Sequence, residues 1–242
     1  MMRVLVTGAT SGIGRQLALD YHRDGHEVWA LGRNQAVLDE LSTEGMQAVR
    51  LDLEDRQATL EWFAAMTPIE LAILNAGSCE YVNLPHFDSE LVSRVMRSNV
   101  ESMAVCIEGV LPLLRQGEKP HLVGVGSSAA YVPLSRAEAY GASKAAIEYM
   151  IKTLRIDLYQ EQIDVSLVCP GFVKTPLTDK NDFSMPFRLS VGDASKRIRR
   201  GIEKRQLEIH FPKRFTYILK ALSLIPEPLW IRISQRMVRN IG

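Results

Sequence analysis

The sequence predicts an α/β chain: a doubly wound parallel sheet between two layers of helices, three layers in all. Three observations carry that prediction. Short apolar runs alternate with helical patterns along the chain, a glycine-rich turn follows the first run at once, and neither an internal repeat nor a low-complexity linker interrupts the alternation. A chain of 242 residues, 46% hydrophobic, buries a substantial core, and positions 1–242 are read as a single domain.

The elements follow in order. Val4-Leu5-Val6 is the first strand, and Thr7-Gly8-Ala9-Thr10-Ser11-Gly12-Ile13-Gly14 is a turn into a helix over Arg15 to Arg23. Gly8 permits the tight turn, Gly12 lets backbone approach a phosphate, and Gly14 allows close packing of helix on strand. The helix N-terminus attracts the anion, so this turn is a candidate dinucleotide site. Its Gly-x-x-x-Gly-x-Gly spacing differs from the commoner Gly-x-Gly-x-x-Gly.

Glu27 to Gly32 is the second strand, followed by Arg33 where an adenosine ribose would lie. An acidic residue there would bind both ribose hydroxyls. An arginine instead pairs with a 2′-phosphate, which favours NADP(H) over NAD(H), unless Arg33 is an ordinary solvated residue. Asn34 caps a helix carrying Val37, Leu38 and Leu41. Met46 to Leu51 is the third strand; Asp52, with Leu53 after it, either contacts the adenine amino group or caps the following helix, Ala58 to Met66. Leu71 to Leu74 is the fourth strand, and Asn75-Ala76-Gly77 at its end lets a flat ring or ribose lie on backbone.

From Ser89 to Leu114 apolar residues recur at helical spacing, with Asn99 among them, and a polar side chain there must be hydrogen-bonded. Leu122 to Val125 is the fifth strand, leading through Ser127 and Ser128 to a helical pattern over Lys144 to Leu158. Tyr140 and Lys144 stand four apart on one helical face. Val165 to Cys169 is the sixth strand, with Pro170-Gly171-Phe172-Val173-Lys174-Thr175 at its end, and Leu207 to Phe211 is the last.

Charge is uneven. From position 180 onward there are 14 Lys and Arg against 5 Asp and Glu, whereas the whole chain is at +1. Residues 213–242 set Lys213, Arg214, Lys220, Arg232, Arg236 and Arg239 beside Phe215, Ile218, Leu219, Leu222, Leu224, Ile225, Leu229, Trp230 and Ile231. Such a basic, apolar extension docks on an anionic membrane, packs on a partner subunit or caps the domain. No recognition motif accompanies it, so no nucleic acid is expected. Cys79, Cys106 and Cys169 show neither a disulfide pattern nor metal-ligand spacing and are read as core fillers in a reducing compartment. The chain opens on a strand and lacks an apolar run of ~18 residues, so the expected location is cytoplasmic, with membrane-peripheral contact the alternative.

Taken together, Thr7-Gly8-x-x-x-Gly12-Ile13-Gly14, Asp52, Asn75-Ala76-Gly77, Asn99, Ser128, Tyr140-x-x-x-Lys144 and Pro170-Gly171-x-x-x-Thr175 resemble the short-chain dehydrogenase/reductase (SDR) family over residues 3–178. Leu74 stands where many members have asparagine, and a glycine-rich C-terminal ending is lacking, which puts a tetramer in doubt and leaves a homo-dimer as the expected oligomer. The resemblance implies a Rossmann-type fold and hydride transfer between a nicotinamide and a carbonyl or secondary alcohol. Tyr140 would be the general acid/base, Lys144 would lower its pKa and bind the nicotinamide ribose, Ser128 (with Ser127 as rival) would hold the substrate oxygen, and Asn99 would hold a water relay. Gly8, Thr10, Ser11, Gly12, Ile13, Gly14, Arg33, Asp52, Leu53, Asn75, Ala76, Gly77, Pro170, Gly171, Val173 and Thr175 would bind or shape the cofactor site, with no metal. Residues 179–191 would form a substrate lid, in which Phe183, Met185 and Phe187 face an apolar substrate or anchor the loop. Two alternatives stand beside this reading: a silent NADP-binding regulator, and a sugar-nucleotide epimerase or dehydratase, for which too little chain follows Thr178.

Overall fold

The computed structural model describes residues 1–236; Arg239, counted above in the basic extension, lies outside the described residues. Seven strands form one sheet: β1 (Arg3–Thr7), β2 (Glu27–Gly32), β3 (Gln47–Arg50), β4 (Leu71–Leu74), β5 (His121–Val125), β6 (Asp164–Pro170) and β7 (Glu208–Phe211). The order is β3-β2-β1-β4-β5-β6-β7 and every pairing is parallel. The order reverses between β1 and β4, so the chain leaves these neighbours in opposite directions and opens a crevice at their carboxyl ends.

Both faces are covered, as the continuous apolar strands require. On one face α1 (Gly12–Arg23), α2 (Gln35–Thr43) and α7 (Val191–Glu203) bury Leu17, Leu41 and Ile198 against Val4, Val6 and Ile73. On the other, α3 (Arg56–Ala64), α5 (Ser102–Leu114) and α6 (Glu138–Asp157) bury Phe63, Val110 and Ile151 against Leu5, Ala72 and Leu122. Capping sets several starts: Asn34 Oδ1 accepts from Val37 N at 3.4 Å, and Asp55 from Ala58 N at 3.0 Å. Asp52 therefore does not cap α3; its carboxylate accepts from Glu54 N at 3.2 Å in a local turn.

Two helices depart from the periodic reading. The 89–114 stretch is α4 (Ser89–Met96) and α5 joined by a π-helical turn, Arg97–Glu101, with Asn99 fully buried in it. The bonds Asn99 makes to other elements hold the widened turn, and hydrophobic spacing is blind to such bonds. The other is α6, which starts six residues ahead of the predicted Lys144 and so takes Tyr140 into its first turn. Beyond β7, α8 (Lys213–Leu222) and α9 (Glu227–Gln235) fold back over the loop after β5. There Trp230, Leu219 and Val132 form a small core, and Trp230 Nε1 donates to Pro133 O at 3.1 Å. No helix among the described residues is long and apolar enough to cross a membrane.

Candidate active site

A groove of about 500 Å³ runs along the carboxyl edge of β2, β1 and β4. Its walls bring together Gly8, Thr10, Ser11, Gly12, Ile13, Arg33, Asp52, Leu53, Asn75, Ala76, Gly77 and Thr175, twelve of the residues singled out in the sequence. Gly8 and Gly12 have φ of +66° and +52°, and a Cβ on Gly12 would stand 3.0 Å from Thr175 Cγ2. A side chain at either position is strained and at Gly12 would narrow the groove. Gly14 lies behind the wall, where its Cβ would be 2.3 Å from Gly8 O; it serves packing of α1 on the turn. Thr7 joins the two loops: its Oγ1 accepts from Asn75 N and Ala76 N at 3.0 and 3.1 Å, while Asn75 Nδ2 donates to Thr7 O at 3.1 Å.

Arg33 is solvent-facing at the far end, with Nη1 3.9 Å from both Asp52 Oδ1 and Glu54 Oε1. Gly32, Asn34, Leu51, Glu54, Ser98, Ser102 and Lys180 also line the groove, and sequence reading missed them. Gly32 carried a signal: it ends β2 where a Cβ would meet Thr10 Cγ2 at 2.4 Å. Pro170, Gly171 and Val173 do not line the groove. Pro170 and Gly171 are tied to β7, Gly171 N donating to Phe211 O at 2.7 Å, and Val173 is buried with a bridge to Leu189. Their part is to shape the turn that presents Thr175.

Tyr140 and Lys144 do not line the groove either; Lys144 stands behind its Gly77, where a Cβ would be 3.5 Å from Nζ. The lysine is buried and its Nζ donates to Val125 O at 3.2 Å, 5.7 Å from the centroid of the Tyr140 ring. Burial lowers the Lys144 pKa to about 8. It raises that of Tyr140 above the ordinary phenol value, with the Cys79 thiol adding to the rise and a hydrogen bond with Ser127 opposing it. The serine hydrogen-bonded with Tyr140 is thus Ser127, the rival to Ser128 in the sequence. Ser127 Oγ accepts from Ala129 N at 3.1 Å, whereas Ser128 is buried at the start of a short 3₁₀ turn, Ser128–Ala130. Strand alternation stops at Val125, so no local pattern distinguishes the two serines.

Asn99 clamps the site. Its Nδ2 donates to Ser78 O (3.0 Å) and Ser143 Oγ (2.9 Å), its Oδ1 accepts from Ser78 N (2.7 Å), and Ser143 Oγ donates to Tyr140 O (2.7 Å). One buried amide therefore joins the loop after β4 to the helix bearing Tyr140, and both its protons are used within the protein. Cys79 departs from the core-filler reading. Cys106 and Cys169 are buried, whereas Cys79 is partly exposed, hydrogen-bonded with Tyr81 and electrostatically coupled to Tyr140 and Lys144. Phe183 packs edge-on to Tyr81 and Phe172, with centroids 5.5 and 6.0 Å apart, and Arg136 holds Asp182 through two bonds of 2.9 and 3.0 Å. Phe183 anchors the 179–191 segment, while Phe187 is exposed with a φ of +58°.

A crevice where parallel strands diverge, floored by a glycine turn at a helix N-terminus, defines the class: a Rossmann-type dinucleotide-binding α/β protein. A family model described as short chain dehydrogenase matches residues 2–184. An uncharacterized oxidoreductase of Myxococcus xanthus is 35% identical over 243 residues, covering 96% of each chain. The NADP-dependent 3-hydroxy acid dehydrogenase YdfG of Shigella flexneri is 31% identical over 180 residues, 71% of this chain and 73% of that one. A short chain dehydrogenase from Burkholderia cenocepacia, solved in complex with NADP, matches with a TM-score of 0.84 at 24% identity, over 96% of this chain and 97% of that one. The chain belongs to the short-chain dehydrogenase/reductase family. It is an oxidoreductase acting on CH–OH and C=O groups with NAD(P).

Proposed function

We propose that the chain moves hydride between NADP(H) and a carbonyl or secondary alcohol on a small, apolar substrate. The observation that carries the proposal is the meeting of Tyr140, Lys144 and Ser127 behind Gly77, a residue that lines a dinucleotide-sized groove. The groove residues fit such a cofactor. The Gly8–Gly14 turn lies at the N-terminus of α1 and would hold the pyrophosphate, Asp52 and Leu53 would hold the adenine, and Asn75 to Gly77 would hold a ribose. Bound there, the nicotinamide supplies or takes up the hydride.

The protein's own groups handle the oxygen. Ser127 Oγ, oriented by accepting from Ala129 N, gives its one proton to Tyr140 in the empty site and would turn it to a substrate carbonyl placed between them. Tyr140 protonates that oxygen as it gains charge, and in the reverse direction removes the proton from the alcohol. Lys144, as an ammonium below pH ~8, stabilises the phenolate that results. Asn99 acts on position, holding α6 to the loop that carries Gly77 and Ser78. Neighbouring walls of Tyr81, Phe172 and Phe183 support an apolar substrate, and the 179–191 segment, pinned by Asp182, is its proposed lid.

NADP(H) over NAD(H) rests on Arg33, an exposed guanidinium just after β2, with Asp52 and Glu54 no nearer than 3.9 Å to its Nη1. We read the chain as one domain and a homo-dimer. Peripheral membrane contact is the reading for α8 and α9: Tyr217, Ile218, Leu224, Leu229 and Ile231 are exposed beside Lys213, Arg214 and Arg232. Co-sedimentation with anionic liposomes tests it, and equal recovery with neutral and anionic vesicles refutes it. For the activity, NADPH oxidation is measured against aldehydes, ketosteroids, 3-oxoacyl thioesters and quinones. Turnover of at least one supports the proposal, and cofactor binding without turnover across the panel supports a silent regulator instead.

A further inference from the structure

Tyr131 stands at the exit of the 3₁₀ turn Ser128–Ala130, one short turn of chain past Ser127. Backbone bonds make that turn a unit: Ala130 N donates to Ser127 O and Tyr131 N to Ser128 O, both at 3.2 Å, and Ala129 N donates to Ser127 Oγ at 3.1 Å. Whatever moves one end of the unit moves Ser127. At its entry Gly126 N donates to Val168 O at 2.8 Å, which fixes the turn to β6. At its exit the Tyr131 side chain reaches past β6 to β7 and α8.

Tyr131 Oη donates to Glu208 Oε1 at 2.5 Å, and Lys220 Nζ donates to Glu208 Oε2 at 2.7 Å while lying 5.2 Å from the centroid of the Tyr131 ring. A phenol, a carboxylate and an ammonium thus join the loop after β5 to the start of β7 and the last turn of α8. Burial pushes the Tyr131 phenol up, so it keeps the proton it donates. Burial alone would raise the Glu208 carboxyl as well, but the bonds from Lys220 and Tyr131 hold it below the usual carboxylate value. The centre of the network is therefore an ionised carboxylate between two donors, the strong class of hydrogen bond. Packing alone does not call for it. The Tyr131 ring lies beside Val132, Leu219 and Trp230, where a phenylalanine ring would fill the same space. A charge pair drawn partly out of water loses much of its attraction to desolvation, so what the polar groups add is a fixed orientation more than stability.

We propose that Tyr131, Glu208 and Lys220 are positioning residues for Ser127, holding the exit of its turn so that Ser127 Oγ stays against Tyr140. The inference rests on Ser127 being the donor to the substrate oxygen. The family model ends at residue 184, and Glu208 and Lys220 lie beyond it, so through this network the segment after β6 contributes to the reaction.

Tyr131→Phe keeps the ring and removes one oxygen, and Lys220→Met keeps the stem and removes the charge. Each, assayed well below its own Tm, should lower kcat for an accepted carbonyl about tenfold and leave KM for NADPH within about twofold of wild type. A contribution to folding alone would lower Tm and leave both constants in place. Ser127→Ala supplies the discriminating background: with the positioned group gone, adding Tyr131→Phe should cost no more than about twofold further. A readout free of turnover is amide exchange at Ala129, whose N–H is held by Ser127 Oγ; it should run about tenfold faster in Tyr131→Phe. With kcat lowered in Ser127→Ala by itself, three results overturn the positioning and spare the serine: wild-type kcat in both network variants, a tenfold loss that recurs in full on Ser127→Ala, or unchanged exchange at Ala129. Wild-type kcat in Ser127→Ala removes the role of the serine and overturns the positioning with it.

Discussion

Lys144 should cost the fold stability, and replacing it by methionine should expose how much. An ordinary lysine titrates at 10.5, and this buried one at about 8. Below pH 8 it is charged in both folded and unfolded chains, so the folded state carries a penalty of roughly 3 kcal/mol, at ~1.4 kcal/mol per pH unit of displacement. Lys144→Met keeps the length of the stem but loses the bond to Val125 O, worth ~1 kcal/mol. The net gain at pH 7 is then about 2 kcal/mol, or a Tm higher by ~4–8 °C at this chain length. The sign follows from proton binding. Between pH 8 and 10.5 the unfolded chain holds the proton that the folded one releases, so wild-type stability rises with pH and the variant's advantage shrinks. Urea melts of both proteins at pH 7, 8, 9 and 10 read this directly. A variant less stable at pH 7, or an advantage that does not shrink between pH 8 and 10, would refute the reasoning.

Three further outcomes follow from the site. Ser127→Ala should lower kcat for an accepted carbonyl by ~10²-fold or more, the scale of a lost oxyanion donor, while Ser128→Ala leaves it within a few fold; steady-state kinetics of the pair decide, and the reverse order restores the original reading. Asn99→Ala strips partners from Ser78 N, Ser78 O and Ser143 Oγ and should destabilise the fold by ~2–4 kcal/mol in urea melts, lowering kcat because Tyr140 is no longer held in place. Arg33→Asp should swing the NADPH/NADH ratio of kcat/KM by at least about tenfold toward NADH; an unchanged ratio removes Arg33 from cofactor choice.

The sheet was legible because each strand is a short apolar run closed by a turn, and the Gly8–Gly14 loop declared its role through spacing and position alike. Tyr140 and Lys144 were legible because helical geometry fixes the relation of residues four apart. Features set by contacts between distant segments were not. The π turn depends on Asn99 reaching Ser78 and Ser143, the choice of Ser127 depends on where a 3₁₀ turn begins, and Cys79 comes beside Tyr140 only once α6 packs on α4. The basic C-terminal stretch shows both halves of its ambiguity: Trp230 and Leu219 cap the loop after β5, while Leu224 and Ile218 stay exposed.

The central claim is that the Tyr140 phenol carries the proton. Tyr140→Phe removes one oxygen and keeps the ring, so NADPH affinity, followed by fluorescence titration, should stay within a few fold of wild type. Single-turnover reduction of an accepted carbonyl should fall by ~10²–10⁴ or more, the scale of a positioned acid. A phenylalanine variant that reduces the carbonyl at a rate near that of wild type would contradict the account.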